Sequence, residues 1–230
     1  MKYIYWDIDG TLLSSGWAGA DALRAAVKER FGVENYQFKY SLAGCTDTQI
    51  VKDICLDVSG KCRASDVANL LIIYHRLLPA SLASHNGKLH PNVLSSLQYI
   101  ASKPSAYKNC LLTGNTQTGA YLKLARYQID KFFSSDYSAC GELDEDRCRL
   151  ARIGFWRLQL LHPEVTANDL LIIGDTPNDA ACAEAIGARS LIVLAGSSFS
   201  RQELAPANPW KIIDSLPENP AELEQILSEL

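Results

Sequence analysis

The sequence predicts an α/β fold: a Rossmann-like parallel sheet with helices on both faces, plus a small α-helical cap domain inserted after the first strand. Three observations carry this. Short apolar runs recur along the chain, each closed by a polar turn. A helix-like segment follows most of those turns. The rhythm breaks between about residues 14 and 84, where helical periodicity runs without a buried strand. Strand, loop and helix in repetition is the pattern of a parallel sheet. Right-handed crossovers then gather the strands' C-terminal ends on one edge, the edge where ligands bind.

The elements follow in order. Residues 2–6 (Lys2-Tyr3-Ile4-Tyr5-Trp6) are aromatic and β-branched and read as a buried first strand. Helical periodicity then covers residues 20–31, 48–56 and 65–83. Leu13-Ser14-Ser15-Gly16 and Ser84-His85-Asn86-Gly87 look like the crossings into and out of this insertion. The expected organisation is therefore a core of residues 1–13 and 85–230 with a helical cap of residues 14–84. Further strands are expected at Cys110-Leu111-Leu112, at residues 170–173 and at residues 190–194, with a weaker candidate at Lys211-Ile212-Ile213. Their turns are Thr113-Gly114-Asn115, Gly174-Asp175 and Ala195-Gly196. Residues 217–230 read as a final acidic helix.

Bulk properties narrow the function. Of 230 residues, 47% are hydrophobic and 21% charged, which supplies a sizeable core. The formal net charge of −4 provides no global field for nucleic acid or an anionic membrane, so neither is expected as a partner. An anionic substrate would have to be drawn in by a metal ion or a few placed cations. The seven cysteines are odd in number, scattered and free of C-x-x-C or zinc spacing, and are read as buried free thiols. The first residues lack the long apolar stretch of a signal peptide, and no run of about 18 apolar residues is expected to span a bilayer. The expected compartment is the cytoplasm.

Asp7-Ile8-Asp9-Gly10-Thr11 is the strongest chemical feature. In extended backbone, residues i and i+2 share a side, so the carboxylates of Asp7 and Asp9 point one way and Ile8 the other. Gly10 lets the chain turn sharply after them. Two like charges this close repel unless a cation or proton sits between them, and a hard divalent ion such as magnesium meets that need. An isolated D-x-D-G is equally well a solvated acidic turn. A second acidic group, Gly174-Asp175-Thr176-Pro177-Asn178-Asp179, follows a strand. Capping of the next helix accounts for Asp179. It does not account for Asp175, the third carboxylate on the same edge. Third, Leu112-Thr113-Gly114-Asn115-Thr116 runs from strand to helix, where a hydroxyl and successive amides form a small anion nest.

These motifs, in this order along the whole chain, resemble those of the haloacid dehalogenase (HAD) superfamily, in its phosphatase-like, phosphoglycolate phosphatase-like branch with a helical C1-type cap. The resemblance implies Asp7 as nucleophile, Asp9 as general acid/base and Thr113 as a holder of phosphate oxygens. It implies a magnesium ion bound by Asp7, the Asp9 backbone carbonyl and Asp175, with Asp179 in support. It also implies substrate contacts at Gly10, Thr11, Gly114 and Asn115. The family needs a cation to neutralise the phosphate, and its common Lys-Pro pair is missing here. Arg147, after Gly141-Glu142-Leu143-Asp144-Glu145-Asp146, is preferred over Lys131. In the cap, Gly44-Cys45-Thr46-Asp47 corresponds to a turn that faces the site in relatives, so Thr46 is a substrate-binding candidate. Helix capping by Thr46 or Asp47 is as good an account. Trp17 reads as hinge packing, and the four histidines, lacking mutual spacing, read as structural.

Residue types also select among the chemistries. An Asp two positions after the nucleophile supplies the proton an alkoxide leaving group needs, whereas a halide needs none. Asp9 thus favours phosphate-ester hydrolysis of a small phosphorylated metabolite by a monomer or homodimer. A phosphomutase would use the same core residues. A non-catalytic phosphate-sensing module would also cluster Asp at strand ends, but such receivers are about half this length and lack the inserted cap.

Overall fold

A computed structural model describes residues 1–230. The first strand, β1 (Lys2–Trp6), shows why the sheet is covered on both sides. Its alternate residues feed two separate cores. Ile4 and Trp6 join an apolar cluster with Leu111, Leu171, Ile173 and Leu191. Tyr3 and Tyr5 join another with Cys110, Leu112, Leu170 and Ile172. A strand apolar on both faces is what a parallel sheet between helices requires.

The remaining sheet strands are β4 (Tyr107–Thr113), β5 (Ala139–Cys140), β6 (Leu170–Gly174), β7 (Arg189–Val193) and β8 (Lys211–Ile213), preceded in the chain by a short pair, β2 (Leu13–Ser14) and β3 (Lys88–Leu89). The sheet order is β5-β4-β1-β6-β7-β8, parallel at every pairing. On the Trp6 face lie α4 (Val93–Ala101), α5 (Gln117–Arg126) and α9 (Pro220–Ser228). On the Tyr5 face lie α6 (Arg147–Leu161) and α7 (Pro177–Ile186). A short α8 (Arg201–Leu204) covers the β7 end through Leu204. The predicted doubly covered parallel sheet is borne out. The two-residue strands were not expected from the sequence, being too short to carry a pattern.

Three helices, α1 (Ala18–Phe31), α2 (Asp47–Ser59) and α3 (Ala64–Ser84), form a separate layer with its own apolar cluster of 14 buried residues. The antiparallel pair β2–β3 marks where the chain leaves the sheet and returns. The expectation that no segment is long and apolar enough to cross a bilayer needs correction at α3: its 21 residues pass that test by length and composition. Here its buried Leu70, Tyr74, Leu78 and Leu82, one turn apart, pack into the helical layer. All seven cysteines are free, as expected, but Cys45, Cys62 and Cys148 are only half-buried.

Candidate active site

The C-terminal ends of β1, β4 and β6 meet under the helical layer at a cavity of about 370 Å³. Asp7, just past β1, is buried and ties its amide to Ile173 O at 2.9 Å. Gly10 then turns the chain at φ +85°, and a side chain there would strike the Asp175 carboxylate. The backbone of residues 8–10 is thereby pressed against β6's last residues. Thr11 Oγ1 donates to Asp175 Oδ1 at 2.9 Å.

Arg147, the first residue of α6, reaches in from the Tyr5 face. Its Nη2 lies 2.7 Å from Asp179 Oδ1 and 3.5 Å from Asp7 Oδ2. Burial opposes its charge, but Asp7 and Asp179 outweigh burial and hold the guanidinium protonated. Its buried Nε has no partner. Lys131, the rejected alternative, stacks over the Phe132 ring 5.4 Å away and does not line the cavity.

Asp9 is held apart from this group. Its Oδ2 accepts from Asn115 Nδ2 at 2.8 Å and from Lys123 Nζ at 2.5 Å, and Lys123 also reaches Asn115 Oδ1 at 2.6 Å. The Lys123 side chain is 6% exposed and that of Asp9 is 43% exposed. Burial works against the Lys123 charge; Asp9 and Asp47 overcome it and lift its pKa above the usual value. Lys123 escaped the sequence reading. The signal was a lysine on the buried face of α5, among Gly119, Ala120 and Leu124, where an apolar residue belongs.

Three buried acids gather here, and Arg147 pairs with two of them, Asp7 and Asp179. Carboxylate oxygens of Asp7, Asp175 and Asp179 lie within 4.8 Å of one another. Burial, with Arg147 opposing it, pushes Asp7 up to about 6. Burial followed by repulsion from Asp179 and Asp7 pushes Asp175 up to about 9. A divalent cation with oxygen ligands relieves both costs, so this donor set fits a metal. Asp179 is the least available ligand of the three. Its Oδ2 accepts from the Asp175 amide, the Thr176 amide and Thr176 Oγ1, and its Oδ1 holds Arg147. Capping, one of the two accounts given for it above, is what its contacts display.

Of the predicted residues, Asp7, Asp9, Gly10, Gly114, Asn115, Arg147 and Asp175 line the cavity together. Thr11, Thr113 and Asp179 are buried just beneath it. Thr113 Oγ1 accepts from the Asn115 amide and Nδ2 at 3.3 and 3.0 Å. Thr46 is turned away. It caps α2 by accepting from the Gln49 amide at 3.2 Å and donates to Glu145 O, so its hydroxyl is spent on backbone and it does not line the cavity. Its neighbour Asp47 faces the site instead, accepting from the Thr116 amide at 2.8 Å. Burial pushes the Asp47 carboxyl up to about 6, with Lys123 pulling the other way. None of the four histidines lines the cavity. Trp17, expected as hinge packing, instead stands 74% exposed at the cavity wall.

A model of the HAD-hydrolase-like family matches residues 150–219. A comparison with curated proteins returns no match. Among solved structures, this chain is similar to CbbY from Rhodobacter sphaeroides, in complex with phosphate, at a TM-score of 0.72, 15% identity and 95% and 96% coverage of the two chains. It is similar to a predicted phosphoglycolate phosphatase from Haemophilus somnus at 0.67 and 19%, covering 98% and 97%. It is also similar to a predicted phosphatase from Clostridium acetobutylicum at 0.69 and 16%, covering 100% and 99%. The fold expected from the motif resemblance is borne out along the whole chain, and the family model agrees with it over residues 150–219.

Proposed function

We infer that this chain, which takes the fold of the haloacid dehalogenase-like hydrolases, is a magnesium-dependent phosphatase acting on phosphate monoesters of small metabolites through an aspartyl-phosphate on Asp7. One observation carries the reading: two carboxylates two residues apart sit in opposite environments. Asp7 is buried beside Arg147 and Asp175, whereas Asp9 is half-exposed and bonded to Lys123 and Asn115. A nucleophile and a proton carrier need that separation.

In the first step an Asp7 carboxylate oxygen attacks phosphorus, the bond to the leaving oxygen breaks, and Asp9 delivers a proton to that oxygen. In the second, Asp9 takes a proton from water, whose oxygen attacks the acyl phosphate, frees inorganic phosphate and restores Asp7. Arg147, which lines the cavity, pairs with the transferring group's oxygens, and Gly114 and Thr113 complete the cradle. Lys123 and Asn115 fix the Asp9 carboxylate toward the leaving group. Magnesium held by Asp7, the Asp9 carbonyl and Asp175 would neutralise the charge that gathers on the phosphoryl group. Residues 14–84 act as the cap. Their α2 start is tied to the core by the Asp47 amide on Gly114 O at 2.7 Å and by Thr48 Oγ1 on Gly141 O at 2.9 Å, which holds the helical layer over the site.

Purified protein should release phosphate from p-nitrophenyl phosphate with magnesium present. Chelation by EDTA or the change Asp7→Asn should abolish turnover. An Asp7→Asn protein with the parent's rate would refute the nucleophile.

A further inference from the structure

The cavity's two ends differ in chemistry, and the difference selects a substrate class. The sheet end carries every charged group but one. Lys123 and Arg147 are the only Lys or Arg residues lining the cavity, and each side chain is just 6% exposed. Both are committed. Lys123 gives two of its three donors to Asp9 and Asn115, and Arg147 is paired with Asp7 and Asp179. The opposite wall, supplied by the helical layer, draws its apolar carbon from Trp17, Leu23, Leu42 and Ile50, with Ser15 and Tyr74 beside them. Its one charged residue is Asp47, an acid.

An alcohol carrying a carboxylate or a second phosphate would bring its charge against this wall. There it would find apolar carbon and a like charge, and the nearest cation, Lys123, is already paired with Asp9. An uncharged alcohol with an apolar ring meets a wall that matches it. Trp17 adds to this. It holds φ +74°, a conformation bulky side chains rarely adopt, and the strained backbone turns an indole 74% exposed onto the cavity wall. An exposed indole in that place offers a face for a ring to stack upon.

We propose that the leaving group accepted here is an uncharged, ring-bearing alcohol, and that monoesters bearing a second anionic group are rejected by the helical wall. The proposal rests on the hydrolase reading above and names the substrate class of the same site.

Benzyl phosphate and phosphoglycolate test it, since both are esters of primary alcohols and differ in ring against carboxylate. With magnesium, kcat/KM for benzyl phosphate should exceed that for phosphoglycolate by at least 30-fold. Calorimetry on the Asp7→Asn protein should show the same order in Kd. Trp17→Ala should raise KM for benzyl phosphate about fivefold and leave the phosphoglycolate value where it was. Leu42→Arg, at a half-buried wall position, should improve phosphoglycolate turnover at least tenfold. Asp7-dependent hydrolysis of p-nitrophenyl phosphate combined with equal or better use of phosphoglycolate by the parent overturns the proposal and spares the hydrolase reading. If no ester is hydrolysed and none binds, both fall. The parent's own ratio is decisive even if a variant does not fold.

Discussion

Asp175→Asn should stabilise this protein in the absence of metal and only at high pH. Burial, then repulsion from Asp179 and Asp7, pushes the Asp175 carboxyl from an ordinary 3.8 up to about 9. The folded chain therefore keeps this proton over a range in which the unfolded chain has lost it. The stability contributed by the proton is complete below about pH 4 and is lost as pH climbs through about 9. Each unit of such a shift is worth about 1.4 kcal/mol. Screening and relaxation around a buried charge reduce such a linkage, so we expect roughly 2–4 kcal/mol of it to appear between pH 5 and pH 9. Asparagine carries no charge, yet retains an oxygen to accept from Thr11 Oγ1, now at 2.9 Å. Urea unfolding of EDTA-treated protein checks this. At pH 5 parent and variant should agree within about 0.5 kcal/mol, and at pH 9 the variant should lead by about 2 kcal/mol. Added magnesium should restore the parent at pH 9 and do little for the variant, because a cation binding the folded state stabilises it by mass action. Parallel pH profiles, or a variant that is weaker at pH 9 without metal, would refute the crowding of charge at this edge.

Lys123→Met should lower kcat for benzyl phosphate by about 10–100-fold but that for p-nitrophenyl phosphate by no more than about threefold, since nitrophenolate leaves without a proton. Equal losses on the two esters would remove Lys123 from the positioning of Asp9. Gly114→Ala would drive a methyl group into the Cys45 carbonyl oxygen and the Arg147 guanidinium. Displacing the helical layer in this way should cost about tenfold in kcat/KM with an unchanged circular dichroism spectrum, because that layer and the sheet have separate apolar cores. A spectrum that collapses, or a rate that holds, would contradict the close approach.

What was legible in the sequence was local. A strand buried on both faces announces itself by continuous apolar residues, and an acid at its end announces the ligand edge, so β1, β4, β6, Asp7, Asp9 and Asp175 could be read directly. Arg147 was reached through resemblance to a family. Lys123 was not read, because its function arises from two distant segments. Asp9 lies 114 residues away along the chain, and only the β1–β4 pairing brings α5 over it. The short strands β2, β3 and β5 carry at most two residues each, which no periodicity can mark.

The displacement from Thr46 to Asp47 has a general cause. A residue at the N-cap turns its side chain back onto the amide three residues on, as Thr46 does onto Gln49. Its hydroxyl is used up at home, so a polar turn that meets a partner does so through the next residue. Asp47 occupies that place and meets the opposing start of α5, where the Thr116 amide and the positive end of the helix attract a carboxylate. Two helix starts thus meet at the cavity, one contributing a carboxylate and the other the amide that donates to it. The contact holds the helical layer over the acids, and it uses the one negative charge on that wall to do so. A substrate anion entering there would compete with Asp47 for Thr116 and for the nearby Lys123 charge, which is a further reason for the wall to accept only uncharged alcohols.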